Sequence, residues 1–384
     1  MLPILDGLFN GISIGSVLLI AALGLAIVFG LMGVINLAHG ELMMLGGYGT
    51  FVVQNVFKEL GEPWFNLYIF FAIPVAFIVA ALMGLILERS VIRFLYGRPL
   101  ETLLATWGVS LILQQFVRSV NWVMVIGMGV FCLLFFGAMF FLRRLRIGNW
   151  ALWLMGWLSL GIAIVSGILI GKTGQEALTK AWFSARNVDV TAPEWLRGGV
   201  PLGNFQLPYA RLFIIGLTII AVVGIYWFLN ASDWGLRIRS VTQNRTMSSC
   251  LGIPTAQVDA LTFALGSGLA GIAGCAITLL GSVGPNTGQN YIVDTFMVVV
   301  VGGVGNLLGT IVAAMAIGIL SYLIGSGTLA VLLVQVEPLK PLADMFLFFA
   351  TTSMAKVLIF ALIIAFLQVK PAGIFPQKGR TVEL

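Results

Sequence analysis

This chain is short of charge, histidine and cysteine, and each shortage removes a class of function. Charged residues make up 9% of it, against roughly 25% in soluble domains, which excludes an ordinary water-soluble domain. The single histidine, His39, cannot by itself build a metal cluster or a hydrolytic triad. Cys132, Cys250 and Cys275 follow no metal or disulfide spacing and read as small apolar fillers. No metal site and no cofactor bound by the chain itself are therefore expected, and no enzymatic activity. The first residues, MLPILDGLFNGISIG, lack a basic stretch, so a cleaved signal peptide is not expected. Ionisable residues deep in apolar sequence are also scarce. Arg118, Arg211, Asp294 and Lys356 fall near the ends of apolar runs, where they can reach the interface; one placed centrally would cost at least ~2.5 kcal/mol. With no plain intramembrane acid, energy must enter from elsewhere, or the protein is a passive channel.

What is abundant is apolar sequence. Runs near 20 residues, each enough to cross ~30 Å of hydrocarbon, recur along the whole length. They predict an all-α polytopic transmembrane bundle forming a single membrane domain over 1–384. About 10–11 segments are expected, drawn at 8–34, 40–57, 67–87, 102–118, 121–142, 148–170, 209–229, 257–281, 292–304, 307–326 and 347–368. In that drawing Arg89, Arg93, Arg98, Arg143, Arg144, Arg146, Arg237, Arg239, Arg245, Lys370, Lys378 and Arg380 share one side, which the positive-inside rule makes cytoplasmic. Lys58, Lys172, Lys180, Arg186, Arg197 and Lys340 lie opposite, diluted by Glu59, Glu62, Glu176, Asp189, Glu194, Glu337 and Asp344. Eleven crossings place the N-terminus outside and the C-terminus inside. The net charge of +6 thus reports orientation and not nucleic acid.

Apparent nucleotide motifs do not survive their context. Gly167–Thr173, GILIGKT, is one residue short of a P-loop and ends an apolar span on the outer side. Gly266, Gly268 and Gly271 match G-x-G-x-x-G, yet lie inside a predicted membrane helix, where they suit close helix packing. Gly303, Gly305 and Gly309 miss the pattern.

Two regions interrupt the spans. Asn36, His39 and Glu41 break Gly30–Gly49, and Gly281–Thr310 contains GPNTGQNY and VGGVGN. Broken helices at membrane depth survive where protein or water satisfies their amides, and in transporters they point to the substrate path. His39 and Glu41, two residues apart, face different directions on a helix; with Asn36 they are candidates for the substrate path, and they are expected first as a helix-end pair at the cytoplasmic interface, with direct substrate contact as the alternative. Gln54, Thr106, Ser110, Gln114, Gln115, Thr262, Ser267 and Asn306 are the neutral polar residues of the spans. They are read either as helix–helix hydrogen bonds or as substrate-path groups.

Between two apolar runs lies a polar, basic island, Ser232–Ala256, SDWGLRIRSVTQNRTMSSCLGIPTA. It reads as a short helix. Ser240 and Gln243 have capping-box spacing, Gly252 suits the left-handed C′ position, and Pro254 cannot continue the helix. Met247, Cys250 and Leu251 share one face. A structured helix in a loop between spans presents a surface to something outside the bilayer.

Those residues carry a resemblance. FNGISIGS, GVINLAHGELMMLGGY, GLRIRSVTQNRTMSSCLGI, VGGVGNLLGT and KPAGIF resemble the branched-chain amino-acid (LivH-type) permeases of ABC importers over nearly the whole chain outside about 120–185. Thr102–Arg118, Gln243–Arg245 and Val283–Asn306 resemble the urea-permease branch, the UrtB type. The resemblance implies a multi-pass permease of a bacterial inner membrane, working with a second homologous permease, two cytosolic ATPases that hold ATP and Mg, and an extracytoplasmic binding protein that delivers urea. It implies that 232–256 is the ATPase-coupling loop, with Gly235, Arg237, Arg239, Gln243, Asn244, Arg245, Leu251 and Gly252 in the coupling pattern. Ser240 and Ser249 stand where alanine is common in that family. The segment 121–185 adds a helical hairpin and an outer loop; two added spans leave the orientation of the rest unchanged. A permease for branched-chain amino acids or short amides, or a self-sufficient urea channel, are the alternatives.

Overall fold

The computed structural model describes residues 2–144, 149–172, 180–183, 186–202, 205–334 and 346–375. Arg146, Thr173, Glu176, Glu337, Lys340, Asp344, Lys378 and Arg380, used in the charge and motif arguments, lie outside the described residues. The chain order gives α1 (Leu2–Met32), α2 (His39–Glu59), the one-turn α3 (Glu62–Phe65), α4 (Tyr68–Ser90), α5 (Pro99–Ser119), α6 (Trp122–Arg144) and α7 (Asn149–Lys172). A two-stranded antiparallel ribbon follows, β1 (Gly199–Leu202) against β2 (Phe205–Pro208). After it come α8 (Tyr209–Ala231), α9 (Asp233–Gln243), α10 (Arg245–Cys250), α11 (Thr255–Thr278), α12 (Thr287–Gly302), α13 (Leu307–Gly325), α14 (Thr328–Val334) and α15 (Thr352–Val369).

Eleven of these helices, from 16 to 31 residues long, coincide with the eleven expected segments, and the protein is an all-α polytopic membrane bundle. Six are long and apolar enough to cross a membrane: Leu5–Met32, Tyr68–Phe94, Pro99–Ser119, Tyr209–Ala231, Thr255–Thr278 and Leu307–Gly325. Of the rest, α2 and α12 fall short for a physical reason. Polar residues dilute α2, and 16 residues give α12 about 24 Å of rise, short of the hydrocarbon thickness.

The chain divides into two compact units, one of 112–187 and one of the remainder. Within the first, α6 and α7 form the expected hairpin; Phe131 stacks on Phe135 and Trp122 meets Trp182 edge-on. Within the larger unit α11 is the central helix, packed against α1, α2 and α4. Its glycines allow this. A Cβ at Gly266 would lie 2.6 Å from Gly24 O of α1, and one at Gly268 would strike the Phe77 ring of α4. At Gly271 it would meet Ala80 of α4 at 2.7 Å, and at Gly274 the Gly47 amide of α2 at 2.9 Å. The G-x-G-x-x-G glycines are therefore close contacts with α1 and α4, and Gly274 adds α2 as a third side. A second seam joins α1 to α13, where a Cβ at Gly11 would lie 2.6 Å from the Ile319 Cα.

The VGGVGN turn between α12 and α13 takes left-handed backbone at Gly303 (φ 101°) and Gly305 (φ 84°). The KPAGIF stretch covers it through Ile374 N–H to Val301 O at 2.8 Å. Asn306 opens α13, its Oδ1 accepting from Gly309 N–H at 3.2 Å.

Gly274→Val is expected to be severely destabilising. Overpacking costs about 1–3 kcal/mol where side chains can give way, and here the obstacles are the Met43 carbonyl and the Gly47 amide, both backbone. Gly281→Ala, with nothing within 4 Å of the added carbon, is expected to melt with the unaltered protein in detergent. Equal melting of both variants would contradict this packing.

Candidate functional site

Two constellations in the larger unit combine polar chemistry with ordered backbone: the surface of 232–254 and a buried centre at the start of α2.

The loop is a pair of short helices and not one. The chain leaves α8 at Ser232, whose hydroxyl accepts from Gly235 N–H at 2.9 Å and caps α9. Gly235 is buried where the chain doubles back, and a Cβ there would strike the Phe228 and Leu229 carbonyls. Asn244 then takes extended backbone, and its Oδ1 accepts from Met247 N–H at 2.9 Å, starting α10. The Ser240–Gln243 capping box is thus overturned. Ser240 sits in the last turns of α9 with its hydroxyl donating to Leu236 O, and the caps are Ser232 and Asn244. Both offer a side-chain oxygen three residues before the amide it takes, a signal present in the sequence. The expected helix end holds. Gly252 has φ 81°, its N–H donates to Ser249 O, and Ile253 N–H donates to Ser248 O, the paired bonds of a Schellman stop.

Ile238 and Val241 bury against Val258 of α11, with Phe228, Leu229 and Ile253 around them. This fixes which face looks out. Arg237, Arg239, Gln243, Asn244, Met247, Cys250, Leu251 and Gly252 are exposed, with Met247 at 59% and Leu251 at 75%. Arg237 lies over the Trp234 ring and Arg239 reaches Asn230. Two of the expected coupling residues differ from that surface. Gly235 is a buried packing residue, and Arg245, half exposed, reaches sideways: its guanidinium pairs with Asp259 of α11 at 2.5 Å and covers the Tyr96 ring at 4.8 Å. Tyr96 donates to Glu88 of α4 at 3.2 Å. Burial first, then the nearby Asp259 and Glu88, push the Tyr96 phenol above its ordinary range, so it remains a donor. The sequence reading missed Asp259, Tyr96 and Glu88. An aspartate inside an apolar span was the available signal.

The second constellation sits where helix starts converge. α2 and α12 abut at Gly40 and Gly288; a Cβ on Gly40 would lie 2.8 Å from the Gly288 carbonyl carbon. His39 is fully buried and its Nε2 donates to Ala21 O of α1 at 3.0 Å, while Nδ1 has no hydrogen-bond partner among the described residues. Glu41 is buried and turns the other way. Ser110 of α5 donates to its Oε1 at 3.0 Å, and its carboxyl group lies over the first turn of α12, 2.7 Å from where a Gly288 Cβ would be. That is the positive end of a helix dipole. Asn36 Oδ1 accepts from Ala38 N–H, and Thr106 of α5, one turn before Ser110, accepts from Leu37 N–H at 3.2 Å.

The expected interfacial His39–Glu41 pair is overturned: these residues do stand at a helix end, but the end lies inside the bundle. The premise that no acid is buried falls with it. Ser110 and the α12 terminus compensate the burial of Glu41, and sequence spacing cannot show either. Asp294 and Lys356 likewise do not snorkel separately but pair at 2.8 Å between α12 and α15.

Asn36, Glu41, Thr106 and Ser110 therefore gather at the start of α2, where His39 turns instead to α1; the other path candidates have settings of their own. Gln54 is buried fifteen residues further along α2, Ser267 is buried where α11 meets Gly84 of α4, and Asn306 is committed to capping α13. Gln114 lies in the 112–187 unit, Gln115 is exposed, and Thr262 donates to Val258 O in its own helix. On a separate surface Val188 and Val283, the latter four residues before α12, are joined by an antiparallel bridge. Lys58, Glu62, Asn66, Glu194 and Arg197 line a cavity of about 330 Å³ there.

A family model described as branched-chain amino acid transport system / permease component matches residues 7–367. The high-affinity branched-chain amino acid transport system permease protein LivH of Salmonella typhimurium is 24% identical, covering 96% of this chain and 94% of its own. LivH of Escherichia coli K12 gives the same identity and coverage. BraD of Pseudomonas aeruginosa, a permease protein of the same description, is 23% identical over 82% of this chain and 84% of its own. No solved structure matches.

Ser110→Ala is expected to lower stability by about 1.5–3 kcal/mol, the range for a hydrogen bond to a carboxylate, read as a lower unfolding midpoint in detergent. Ser110→Thr, which keeps the hydroxyl, is expected to retain most of it. An unchanged midpoint for Ser110→Ala would mean that the Glu41 contact holds nothing in place.

Proposed function

The chain belongs to the family of branched-chain amino acid transport permease components, and we propose that it is the membrane subunit of an ATP-driven, binding-protein-dependent importer of urea. The observation that carries the ATP-driven part is the α9–α10 surface. Its ends are capped, its inner face is anchored on α11, and its outer face pairs exposed arginines with exposed Met247 and Leu251. That is what a groove on a partner protein requires. By the positive-inside rule, Arg89, Arg93, Arg98, Arg237, Arg239 and Lys370 support a cytoplasmic position for this side. One of two ATPases docks there, a second permease completes the path, and a binding protein meets the opposite face at the 171–208 loop and the 282–293 region, which the Val188–Val283 bridge ties together. The N-terminus lies outside and the C-terminus in the cytoplasm.

The buried centre is the path residue set this reading uses. Asn36, His39, Glu41, Thr106 and Ser110 offer donors and acceptors around the start of α2, which suits a small polar solute carrying both. Closure of the ATPases moves α9–α10 and rocks the bundle, opening the centre to one side at a time. Urea rests on the likeness of Thr102–Arg118, Gln243–Arg245 and Val283–Asn306 to urea permeases. The second reading, transport of branched-chain amino acids, is favoured by what LivH and BraD are named for.

Competition for uptake by the reconstituted complex separates the two. Excess unlabelled urea is expected to suppress labelled urea uptake while leucine does not; suppression by leucine would replace urea with an amino acid.

A further inference from the structure

We infer that the Arg245–Asp259 pair, seated on Tyr96, is the strut that carries movement of the coupling surface into α11. This rests on the ATP-driven reading above and assigns the part of the chain that transmits the force.

A surface segment joined to a bundle only through its two chain ends can shift without shifting the helices, because backbone connections bend. To transmit motion it needs a lateral tie to a helix that is itself gripped. α10 has one. Its first residue, Arg245, stands beside the break at Asn244, where the two short helices would otherwise hinge. The guanidinium reaches across to Asp259, whose side chain is only 5% exposed, while the arginine remains 49% exposed. A planar fork held by a carboxylate on one side and an aromatic ring on another has little freedom to swing. The ring is itself fixed, since the Tyr96 hydroxyl donates to buried Glu88 near the end of α4. One arginine thus joins α10, α11 and the α4–α5 connection.

The helix it grips is the right one. Asp259 lies seven residues before Gly266, where the close contacts of α11 with α1, α4 and α2 begin. A displacement applied at Asp259 enters the helix with the least room to move independently of its neighbours. The apolar patch of Ile238, Val241 and Val258 keeps α9 on the same helix, but it is non-directional and tolerates sliding. The ion pair fixes direction.

This also explains why Arg245 differs from Arg237 and Arg239. Those two point outward from α9 and are available to a partner, whereas Arg245 acts through Asp259 and is a positioning residue.

The test uses the complete complex in proteoliposomes, with ATP hydrolysis and labelled urea uptake measured on the same vesicles. Arg245→Gln alone leaves a buried aspartate unpaired and can fail for that reason. The informative variant is the double neutral Arg245→Gln/Asp259→Asn, which removes both charges. The strut predicts that this variant assembles and hydrolyses ATP, while urea moved per ATP falls about tenfold, within the usual span of site–site coupling. It also predicts that the exchanged pair, Arg245→Asp/Asp259→Arg, recovers part of the loss. A double neutral variant that couples as the unaltered complex does would overturn the strut and leave the pair a matter of stability alone. A double neutral variant that fails to assemble would also overturn it, since the pair would then be needed for folding. If the unaltered complex shows no ATP-dependent uptake, the importer reading fails instead.

Discussion

Backbone-to-backbone contact along α11 is the constraint on which the rest of the larger unit depends. Gly266, Gly268, Gly271 and Gly274 let three other helices approach until a single added carbon would collide with them. In a membrane the lipid is as apolar as the side chains, so association rests on packing and on interhelical hydrogen bonds, with no hydrophobic drive between helices. A helix held on three sides cannot shift alone. It shifts with α1, α2 and α4, or not at all. In the proposed coupling α11 is the lever between a surface segment at its N-terminal end and the buried centre, because α2, which begins that centre, packs directly against it.

The centre has its own logic. Two helices that begin inside the bundle bring amide-rich ends together, and Glu41 places a carboxyl group at one of them. Such a broken arrangement costs helix hydrogen bonds, and it is kept where protein groups satisfy them. Thr106 and Ser110, one turn apart on α5, take up Leu37 N–H and Glu41. The polar groups thus brace the two helix starts against each other.

Much of this was legible in the sequence, and what was not has identifiable causes. Apolar run length located the eleven long helices of the described residues, because that signal is local. Gly252 and Pro254 marked the end of α10, since glycine can turn left-handed there and proline cannot extend the helix beyond it. The capping box misled because Ser240 and Gln243 have the right spacing but lie within a helix already started at Ser232; propensity rules do not say which of two competing caps is used. His39 and Glu41 misled for a different reason. Their burial is compensated by Ser110, Ala21 and the end of α12, all far away in sequence. The Arg245–Asp259 pair was hidden in the same way: the arginine was read as a docking residue, and the aspartate fourteen positions later looked like part of a span.

An energy source outside this chain is the central claim, and a flux measurement tests it most directly. Purified chain alone in liposomes is predicted to pass labelled urea no faster than bare lipid. The assembly with its ATPases, second permease and binding protein is predicted to accumulate urea against its gradient only while ATP is hydrolysed. Rapid urea equilibration through the chain alone would contradict that claim and make this protein a channel.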